Sequence, residues 1–383
     1  MKFENNLLLK LHNWRRFDSI EFSLPKESFA ILDKNGSGKT SLISSFYSLF
    51  TGQSWPTTRL AHHLKSGTEY FGVSCQYPDW SFTGQISPSG RVVSKYRKLP
   101  PDYYEKLFVR VNSSETVQKP KILTYLPTDN YWFNQSRGNK LDILDNLLNQ
   151  IFESAYKVDL QNLHKLVKHK HRLIKHVFEN PDNFDQALLS TLNKSILTHS
   201  HIIWSARYNF LKYLDNSLVQ FEQLIESPFR DWKVRWEVSD SDGAKKSYYI
   251  RNLLNPLKYD ELDWSVIWQK ELLIGKVLFG AQRDDFRITS NHLGVEEVLS
   301  RGEMRLLVLF IKNIARQYLY SLNSNQPVFW LLDDVFNEFD LDRERIVADQ
   351  LLKQTDYYII TSTTHSLDSV LTLNINDLTN RNG

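Results

Sequence analysis

Two short segments, nearly three hundred residues apart, contain residue types that could bind a nucleotide and activate water. The first is Asn35-Gly36-Ser37-Gly38-Lys39-Thr40, and the second is the apolar run 328–332 followed by Asp333 and Asp334. Glycine lets successive backbone N–H groups converge on phosphate oxygens at a helix N-terminus, where the helix dipole favours negative charge. Paired carboxylates at the end of a buried strand can hold Mg²⁺ and orient a water molecule. Together the segments predict a magnesium-dependent ATPase site.

The two segments divide the expected chemistry between them. Lys39 is predicted to contact the terminal phosphates of ATP, and Thr40 and Asp333 are predicted to bind Mg²⁺. Asp334 is predicted to orient or deprotonate the attacking water, so Asp334 and Lys39 are the expected catalytic residues. Asp33 occupies the first glycine position of the pattern G-x-x-x-x-G-K-[ST] and brings an extra carboxylate toward the phosphates. The predicted ATP contacts in the loop are Asp33, Lys34, Asn35, Gly36, Ser37, Gly38, Lys39, Thr40 and Ser41.

Each segment also has a simpler explanation that needs no ligand. The glycine-rich segment could be a strand-to-helix turn with an exposed lysine. The two aspartates could cap a helix or form a turn after a buried strand. The occurrence of both segments in one chain favours the nucleotide site.

Local patterns predict the elements that must position these residues. A strand at 28–32 precedes the glycine-rich segment, and apolar residues at helical spacing predict a helix at 39–50 directly after it. Helical spacing between 140 and 226 predicts a helical arm that ends at Pro228. The other predicted elements are strands at 7–11 and 17–24, a hairpin or meander within 69–98, helices at 303–319 and 342–352, a strand ending at Asp333 and a strand at 357–361. The expected domains are ATPase lobe I, from 1–135 with a β subdomain and from 266–383 with the signature, and a helical lobe II at 136–265.

Length and composition narrow the class of protein. With 383 residues, of which 41% are hydrophobic, the chain can bury more than one ordinary core. The net charge of +3 does not by itself indicate nucleic-acid binding. Cys75 is the single cysteine, which excludes an intramolecular disulfide and a Cys-rich zinc site. The N-terminus does not resemble a signal peptide and the longest apolar run, 306–311, is too short to span a bilayer, so we expect a cytoplasmic protein without membrane contact.

A further segment suited to an anion lies before the predicted helix at 303–319. It is Ser300-Arg301-Gly302-Glu303, whose hydroxyl and N–H groups would lie at the N-terminus of that helix. A capping box between Ser300 and Glu303 is an alternative that can hold at the same time. His365 follows the predicted strand 357–361 and could sense the γ-phosphate, although a histidine after a strand is more often an ordinary loop residue.

The helical arm contains a basic run that could contact DNA. Its cations are Lys165, Lys168, Lys170, Arg172 and Lys175, and four histidines lie among them. Cations that contact phosphates bind DNA independently of its sequence and with strong dependence on salt. The alternative is a helix face that is only solvated.

Ordered motifs toward both ends of the chain resemble the RecF family of SMC-like ABC ATPases. The resemblance is specific at 7–50 and 272–364 and weak between them. The family's Gly-Pro-His-Arg-Asp-Asp-Leu corresponds to residues 280–286, with Gly280, Arg283, Asp284 and Asp285 matching. Its Leu-Leu-Asp-Asp-Val-x-Ser-Glu-Leu-Asp corresponds to 331–340, its Ser-Arg-Gly-Gln signature to 300–303, and its Phe-Arg-Asn segment to 14–16.

Membership in this family implies a fold and a function. The fold would be α/β, an ABC/SMC-like ATPase head (a P-loop NTPase) with a small antiparallel β subdomain and an inserted helical arm. The protein would form an ATP-dependent homodimer, in which the signature of one subunit completes the nucleotide site of the other. It would act on gapped or junction DNA in DNA replication, recombinational repair and the SOS response, with slow, DNA-stimulated hydrolysis, and would load RecA with RecO and RecR. The residue roles implied are ATP binding by Arg15, a signature of Ser300, Arg301, Gly302 and Glu303, a D-loop with Glu338 and Asp340, and a switch at His365.

Other functions remain open from the sequence. Extra negative charge at Asp33 and Glu303 favours an ATP-gated DNA clamp or scaffold with little turnover, because these carboxylates would oppose bound phosphates. Another SMC-like ATPase, such as a module of a phage-defence or nuclease complex, would also fit the motifs. The nucleotide-binding subunit of a transporter is disfavoured, because about 260 residues separate Lys39 from Ser300.

Overall fold

The computed structural model describes two compact units. Unit 1 comprises Met1–Asp129 and Asn323–Gly383, and unit 2 comprises Asn130–Leu322. The described residues are 7–25, 27–51, 54–55, 60–68, 70–77, 80–86, 110–111, 121–152, 154–180, 184–225, 228–253, 262–322, 328–336, 339–347, 357–363 and 370–379.

Unit 1 contains two sheets. In chain order its strands are β1 Leu7–Trp14, β2 Phe17–Leu24, β3 Phe29–Leu32, β4 Phe71–Tyr77, β5 Trp80–Ile86, β6 Arg110–Val111, β7 Lys121–Tyr125, β12 Val328–Leu332, β13 Tyr357–Ser362 and β14 Leu371–Leu373, and its helices are α1 Lys39–Thr51 and α8 Leu341–Ile346. An antiparallel sheet has the order β2-β1-β4-β5-β6, and a parallel sheet has the order β14-β3-β13-β12-β7. The strands predicted in this unit are present, and the predicted hairpin is β4 with β5; the part of 69–98 beyond Ile86 lies outside the described residues.

The parallel sheet brings distant parts of the chain to one edge. β12 lies between β13 and β7, and its Leu332 is paired with Ile360 and Tyr125. The apolar composition of β12 suits this place, because a strand inside a parallel sheet is covered on both faces. Parallel strands all end at the same edge, so the residues that follow β3, β12 and β13 are brought close together there. This edge positions the candidate site.

Helix α1 packs between the two sheets of unit 1. It contacts β1, β4 and β5 of the antiparallel sheet and β7 and β13 of the parallel sheet. Leu42, Ile43, Phe46 and Leu49 are fully buried on it, and even its serines Ser44, Ser45 and Ser48 are inaccessible. A helix that is buried on all sides belongs between two layers. The start of α1, where the glycine-rich loop ends, is therefore firmly anchored.

Unit 2 combines helices with a third sheet. Its helices are α2 Arg137–Phe152, α3 Ser154–Glu179, α4 Gln186–Leu224, α5 Trp264–Ile274, α6 Val295–Val298 and α7 Arg301–Leu322, and its strands are β8 Lys233–Ser239, β9 Lys245–Tyr249, β10 Asp285–Ser290 and β11 Leu293–Gly294. α3 and α4 run antiparallel, since Asp159 pairs with His199 while Val177 packs near Leu189. α7 packs along α4, where the rings of Phe221 and Phe310 lie 5.5 Å apart.

The sheet of unit 2 was not expected from the sequence. Its strands have the order β11-β10-β8-β9 with antiparallel neighbours, and β8 and β9 lie inside the segment predicted to be a helical lobe. Val234, Trp236 and Val238 alternate along β8 as buried residues, and Gly243 turns the chain with φ +77°. Alternation of apolar and polar residues followed by an Asp-Gly turn is a recognised hairpin pattern, so the signal was present in the sequence.

Unit boundaries and predicted lobe boundaries differ. The sequence placed 266–383 in one lobe, whereas contacts group α5, α6 and α7 with the helices of unit 2. The apolar face of α7 that meets α4 accounts for this grouping. Within the described residues, no helix combines the length and apolarity needed to cross a membrane.

Candidate nucleotide-binding site

The loop between β3 and α1 needs glycine at two positions. Gly36 and Gly38 have φ +77° and +112°, values that side chains other than glycine rarely adopt. A Cβ atom on Gly38 would also lie 2.5 Å from the ring of Phe17, which belongs to the core of unit 1. The first helical hydrogen bond follows at once, from Leu42 N to Gly38 O at 2.9 Å. The loop therefore delivers its N–H groups to the N-terminus of α1, as a phosphate loop must.

Lys39 lies folded across this loop. Its Nζ donates hydrogen bonds to the carbonyl oxygens of Asp33 at 2.5 Å and of Lys34 at 3.1 Å. The residue is only 5% exposed, so its charge is held at the loop and not in solvent. The exposed lysine of the simpler explanation is therefore wrong.

Asp33 uses its carboxylate to organise the backbone. Oδ1 accepts a hydrogen bond from Lys34 N at 2.7 Å, and Oδ2 accepts one from Ile375 N at 3.4 Å. The backbone N–H of Asp33 donates to Ser362 O at the end of β13. Asp33, which stands in place of the first glycine of the pattern, therefore anchors the loop to Ile375 and to β13. The two N–H groups that donate to its carboxylate partly offset its negative charge.

The second predicted segment lies against the first. Thr40 Oγ1 donates to the carboxylate of Asp333, with distances of 3.1 Å to Oδ1 and 3.0 Å to Oδ2. Asp333 is 5% exposed, and its backbone N–H donates to Tyr125 O at 3.0 Å. Burial raises the pKa of Asp333, and the negative charge of Asp334 raises it further. A buried carboxylate with a carboxylate neighbour favours the approach of a cation.

Asp334 follows Asp333 in an uncommon backbone conformation. Its φ is +49°, in the left-handed region that Asp and Asn enter more readily than most residues. Its backbone N–H donates to Thr361 Oγ1 at 2.9 Å, and the same hydroxyl donates to Asp333 Oδ1 at 2.6 Å. The conformation turns the chain sharply after β12, so the two carboxylates do not continue the strand alternation.

Arg15 reaches this site from the turn between β1 and β2. Burial lowers the pKa of this half-buried guanidinium, and the negative charge of Asp333 opposes that shift. Arg15 Nε donates to Nδ1 of His63 at 3.0 Å, so the proton of the imidazole lies on Nε2, 2.9 Å from Ser54 Oγ. Burial, followed by the charge of Arg15, lowers the pKa of His63 to about 3. A neutral imidazole therefore holds the guanidinium.

The signature segment in unit 2 begins α7 with a complete capping box. Ser300 Oγ accepts a hydrogen bond from Glu303 N at 3.3 Å, and Glu303 Oε2 accepts one from Ser300 N at 2.8 Å. Ser300 and Arg301 are exposed, and Gly302 is half-buried. Ser300 is accessible to an anion, but a carboxylate of the same chain already occupies its N–H.

The motif at 280–286 has a structural role in unit 2. Gly280 has φ +122°, and a Cβ there would lie 2.4 Å from Gln282 Oε1. Arg283 donates to Gly243 O at 2.8 Å, and Asp285 forms an ion pair with Lys140 at 3.1 Å. The motif thereby joins the start of α2, the β8–β9 turn and the start of β10.

Asp284, the central acid of this motif, belongs to a buried charge cluster. Arg207, on α4, forms ion pairs with Asp145 at 2.8 Å and with Asp284 at 2.7 Å, and its side chain is 1% exposed. Tyr156 donates to Asp145 at 2.6 Å, and Trp204 Nε1 donates to Asp284 at 3.1 Å. Burial raises the pKa of Asp284 to about 6, although Arg207 opposes the shift.

The basic run of α3 divides between two faces. Lys165, Lys168, Arg172 and Lys175 are exposed; we call these four residues the basic face of α3. Lys170 is 1% exposed and pairs with Glu271 at 2.7 Å, so its prediction as a DNA contact is wrong. The reason is the helical period, which places position 170 on the side that packs against α5.

The remaining predicted site residues either have structural roles or lie outside the described part of the chain. His365 and Glu338 lie outside the described residues. Asp340 caps α8, where its Oδ1 accepts a hydrogen bond from Arg343 N at 2.9 Å. Ser41 is buried, and its carbonyl oxygen accepts a hydrogen bond from Trp14 Nε1 at 2.8 Å.

Thr361, His63 and Arg207 are important to these clusters but were missed in the sequence. Thr361 and His63 carry no motif of their own. For Arg207, the one available signal was an arginine within a mostly apolar helical stripe.

Known proteins are similar to this chain along nearly its whole length. No family model matches it. The DNA replication and repair protein RecF of Oceanobacillus iheyensis is 23% identical over 365 residues, which cover 94% of this chain and 94% of that protein. RecF of Chloroherpeton thalassium is 26% identical over 370 residues, which cover 93% and 94%.

The fold agrees with that of a solved RecF structure. The recombination mediator protein RecF with ATP, of the RecFOR pathway, superposes with a TM-score of 0.72 at 17% identity, over 96% of this chain and 94% of that one. The predicted resemblance to RecF proteins and the predicted fold class are both confirmed. The chain is similar to RecF proteins along nearly its whole length, and it has the α/β fold of an SMC-like ABC ATPase.

Proposed function

We propose that this protein binds and hydrolyses ATP as a DNA repair protein of RecF type. The observation that carries the proposal is the 3.0 Å contact between Thr40 Oγ1 and Asp333, which joins the phosphate loop to the strand-end carboxylates. Lys39 binds the terminal phosphates, and Asp334 orients the attacking water and accepts its proton. Arg15, held by His63, adds positive charge at the same edge of the sheet.

The residues around Asp333 fit the Mg²⁺ that such a site requires. Thr40 Oγ1 and the Asp333 carboxylate offer the oxygen ligands that this ion prefers, and it commonly uses one or two protein ligands with phosphates and water. Bound there, Mg²⁺ would offset negative charge on the phosphates.

ATP-dependent dimerisation is the part of the proposal that depends on unit 2. Ser300 is exposed at the N-terminus of α7, as a group that contacts the nucleotide of a second subunit must be. The internal bond from Ser300 N to Glu303 must open when phosphate binds there. This competition supports slow turnover, stimulated when DNA holds two subunits together.

Ser300→Arg and Lys39→Ala are each expected to prevent ATP-dependent dimerisation. The arginine would occupy the phosphate position of the signature, and the alanine would remove the main phosphate contact. Light scattering with ATP and Mg²⁺ should give the dimer mass for the wild type and the monomer mass for both variants. Ser321→Arg, at the other end of α7, is the matched control and should still dimerise. A wild type that stays monomeric with ATP, or that dimerises without nucleotide, contradicts the proposal.

DNA contact is proposed for the basic face of α3. With about 100° per residue and a rise of about 1.5 Å, its four cations fall within an arc of about 80° and a length of about 15 Å. The opposite side of α3 packs against α4 and α5, so this face is directed to solvent. Such a row suits the phosphate backbone of gapped or junction DNA. RecO and RecR are proposed partners and RecA loading the proposed outcome, supported by the RecFOR pathway of the similar solved protein.

Neutralising the basic face is expected to weaken DNA binding and its salt dependence. In a variant with Lys165→Gln, Lys168→Gln and Arg172→Gln, the slope of log K against log salt should fall by about 3 if each cation contacts one phosphate. Fluorescence anisotropy with labelled gapped DNA measures this slope. Three exposed lysines on other elements, Lys194, Lys246 and Lys276, changed together to Gln provide the control with equal net charge. Equal slopes for the two triple variants would remove α3 from the DNA interface.

An ATP-gated DNA clamp with little turnover is the second candidate. The Glu303 carboxylate on Ser300 N favours it, because this contact opposes closure of the composite site. ATP binding would then persist while hydrolysis is negligible.

A further inference from the structure

One hydroxyl connects both acidic residues of the candidate site. Thr361 Oγ1 lies 2.6 Å from Asp333 Oδ1 and 2.9 Å from Asp334 N, and Thr361 is inaccessible to solvent. We propose that Thr361 is a positioning residue for hydrolysis, which fixes the carboxylate of Asp333 and the backbone of Asp334 together. This inference rests on the proposed ATPase function.

The strand register explains why Thr361 occupies this place. Leu332 of β12 pairs with Ile360 of β13, so the next residue of each strand, Asp333 and Thr361, are neighbours where the parallel strands end. On its other side, Thr361 pairs with Ile31 of β3, the strand that leads into the phosphate loop. Thr361 thus lies between the two segments that carry the chemistry.

The chemistry of the hydroxyl matches both contacts. A threonine hydroxyl has one hydrogen to donate and lone pairs to accept, so it can donate to Asp333 while it accepts from Asp334 N–H. The bond to the carboxylate is charge-assisted and therefore stronger than a neutral one. The bond from Asp334 N–H holds that residue at φ +49°, a conformation that most side chains avoid. Without it, one constraint on the backbone of Asp334, and through it on the direction of the carboxylate, is lost.

Thr40 and Thr361 hold Asp333 in different ways. Thr40 comes from α1, contacts both carboxylate oxygens at 3.0 to 3.1 Å, and is itself a proposed ligand of Mg²⁺. Thr361 comes from β13, makes the shorter bond, and has no proposed contact with nucleotide. Loss of Thr361 should therefore disturb turnover more than binding.

Thr361→Val and Thr361→Ser separate the hydroxyl from the shape of the side chain. Val keeps the shape and removes the hydroxyl, so kcat for ATP should fall on the order of 10- to 100-fold, as expected for misplaced reacting groups. KM should change less than about threefold, because Lys39 is untouched. Ser keeps the hydroxyl and should retain kcat within about threefold. Steady-state turnover over a range of ATP concentrations gives both parameters.

The outcomes distinguish this inference from the proposed function. If the wild type shows no turnover with or without gapped DNA, hydrolysis itself is excluded and the inference fails with it. If the wild type turns over and Val matches its kcat, or if Ser falls as far as Val, the positioning role is overturned. Thermal melting monitors folding, and Thr361→Ala replaces Val if Val does not fold.

Discussion

Asp334→Asn is expected to lower ATP turnover about 10²- to 10³-fold while ATP-dependent dimerisation remains, because the variant loses the group that accepts the proton of water. Asn has nearly the same shape as Asp and also tolerates the left-handed backbone at this position, where φ is +49°. Alanine would add backbone strain to the chemical change. The substitution also removes one negative charge from a site that is proposed to hold phosphates, so binding of ATP should not weaken.

Turnover of the wild type and of Asp334→Asn should be compared with and without gapped DNA. Asp18→Asn is a suitable control, since it makes the same chemical change on a carboxylate that is 79% exposed on β2. Equal turnover in Asp334→Asn and the wild type would assign water activation to another residue. A wild type that binds ATP and DNA but shows no ATP hydrolysis, either alone or with DNA, would favour the ATP-gated clamp.

Local sequence patterns were sufficient to find the two segments that meet in the candidate site. Gly36, Gly38 and Lys39 lie within one short loop, and Asp333 and Asp334 end one apolar strand, so each segment is recognisable by itself. The parallel pairing of β3, β12 and β13 then follows from strands that alternate with helices. Their meeting at one edge is a geometric consequence of that pairing, and it places Thr40 against Asp333.

Residues that act through distant partners could not be predicted in the same way. Thr361 acquires its role from a register that places Asp333 beside it, 28 positions away in sequence. Arg207 finds its carboxylates 62 and 77 positions away. No local pattern carries such pairings, because they depend on how helices and strands pack.

The prediction of Lys170 as a DNA contact failed for a different reason. A run of basic residues indicates a charged helix, but the helical period places Lys170 on a different side from the other four cations. Only the packing of α5 decides that Lys170 faces Glu271 while its neighbours face solvent. The β8–β9 hairpin was missed for another reason, since its alternation lies directly after a long helical pattern.

The second large effect is expected in unit 2, where Arg207→Met should lower the free energy of unfolding by about 3–5 kcal/mol. Arg207 is fully buried between Asp145 and Asp284, so its removal leaves two carboxylates without their cation. Met fills a similar volume, which limits the contribution of a cavity. Chemical denaturation followed by far-UV circular dichroism suits the measurement, because the long helices α3 and α4 both belong to unit 2.

Tyr156→Phe provides the matched control. It removes one hydrogen bond to Asp145, at 2.6 Å, and keeps the ring, so the expected loss is about 1–2 kcal/mol. A loss below about 1 kcal/mol for Arg207→Met would contradict the view that the ion pairs hold α2 and α4 to the 280–286 motif.

The pH dependence of the free energy of unfolding shows whether Arg207→Met destabilises unit 2 through uncompensated charge or through lost packing. The pKa of Asp284 is already raised to about 6, mainly by burial, and removal of Arg207 takes away the cation that opposes this shift. A carboxyl whose pKa is higher in the folded state stabilises the fold at low pH and loses that contribution as pH rises through the folded value. The deficit of Arg207→Met should therefore be larger at about pH 8 than at about pH 5. Adding Asp284→Asn should reduce this difference, because the amide keeps an acceptor for Trp204 and cannot be charged.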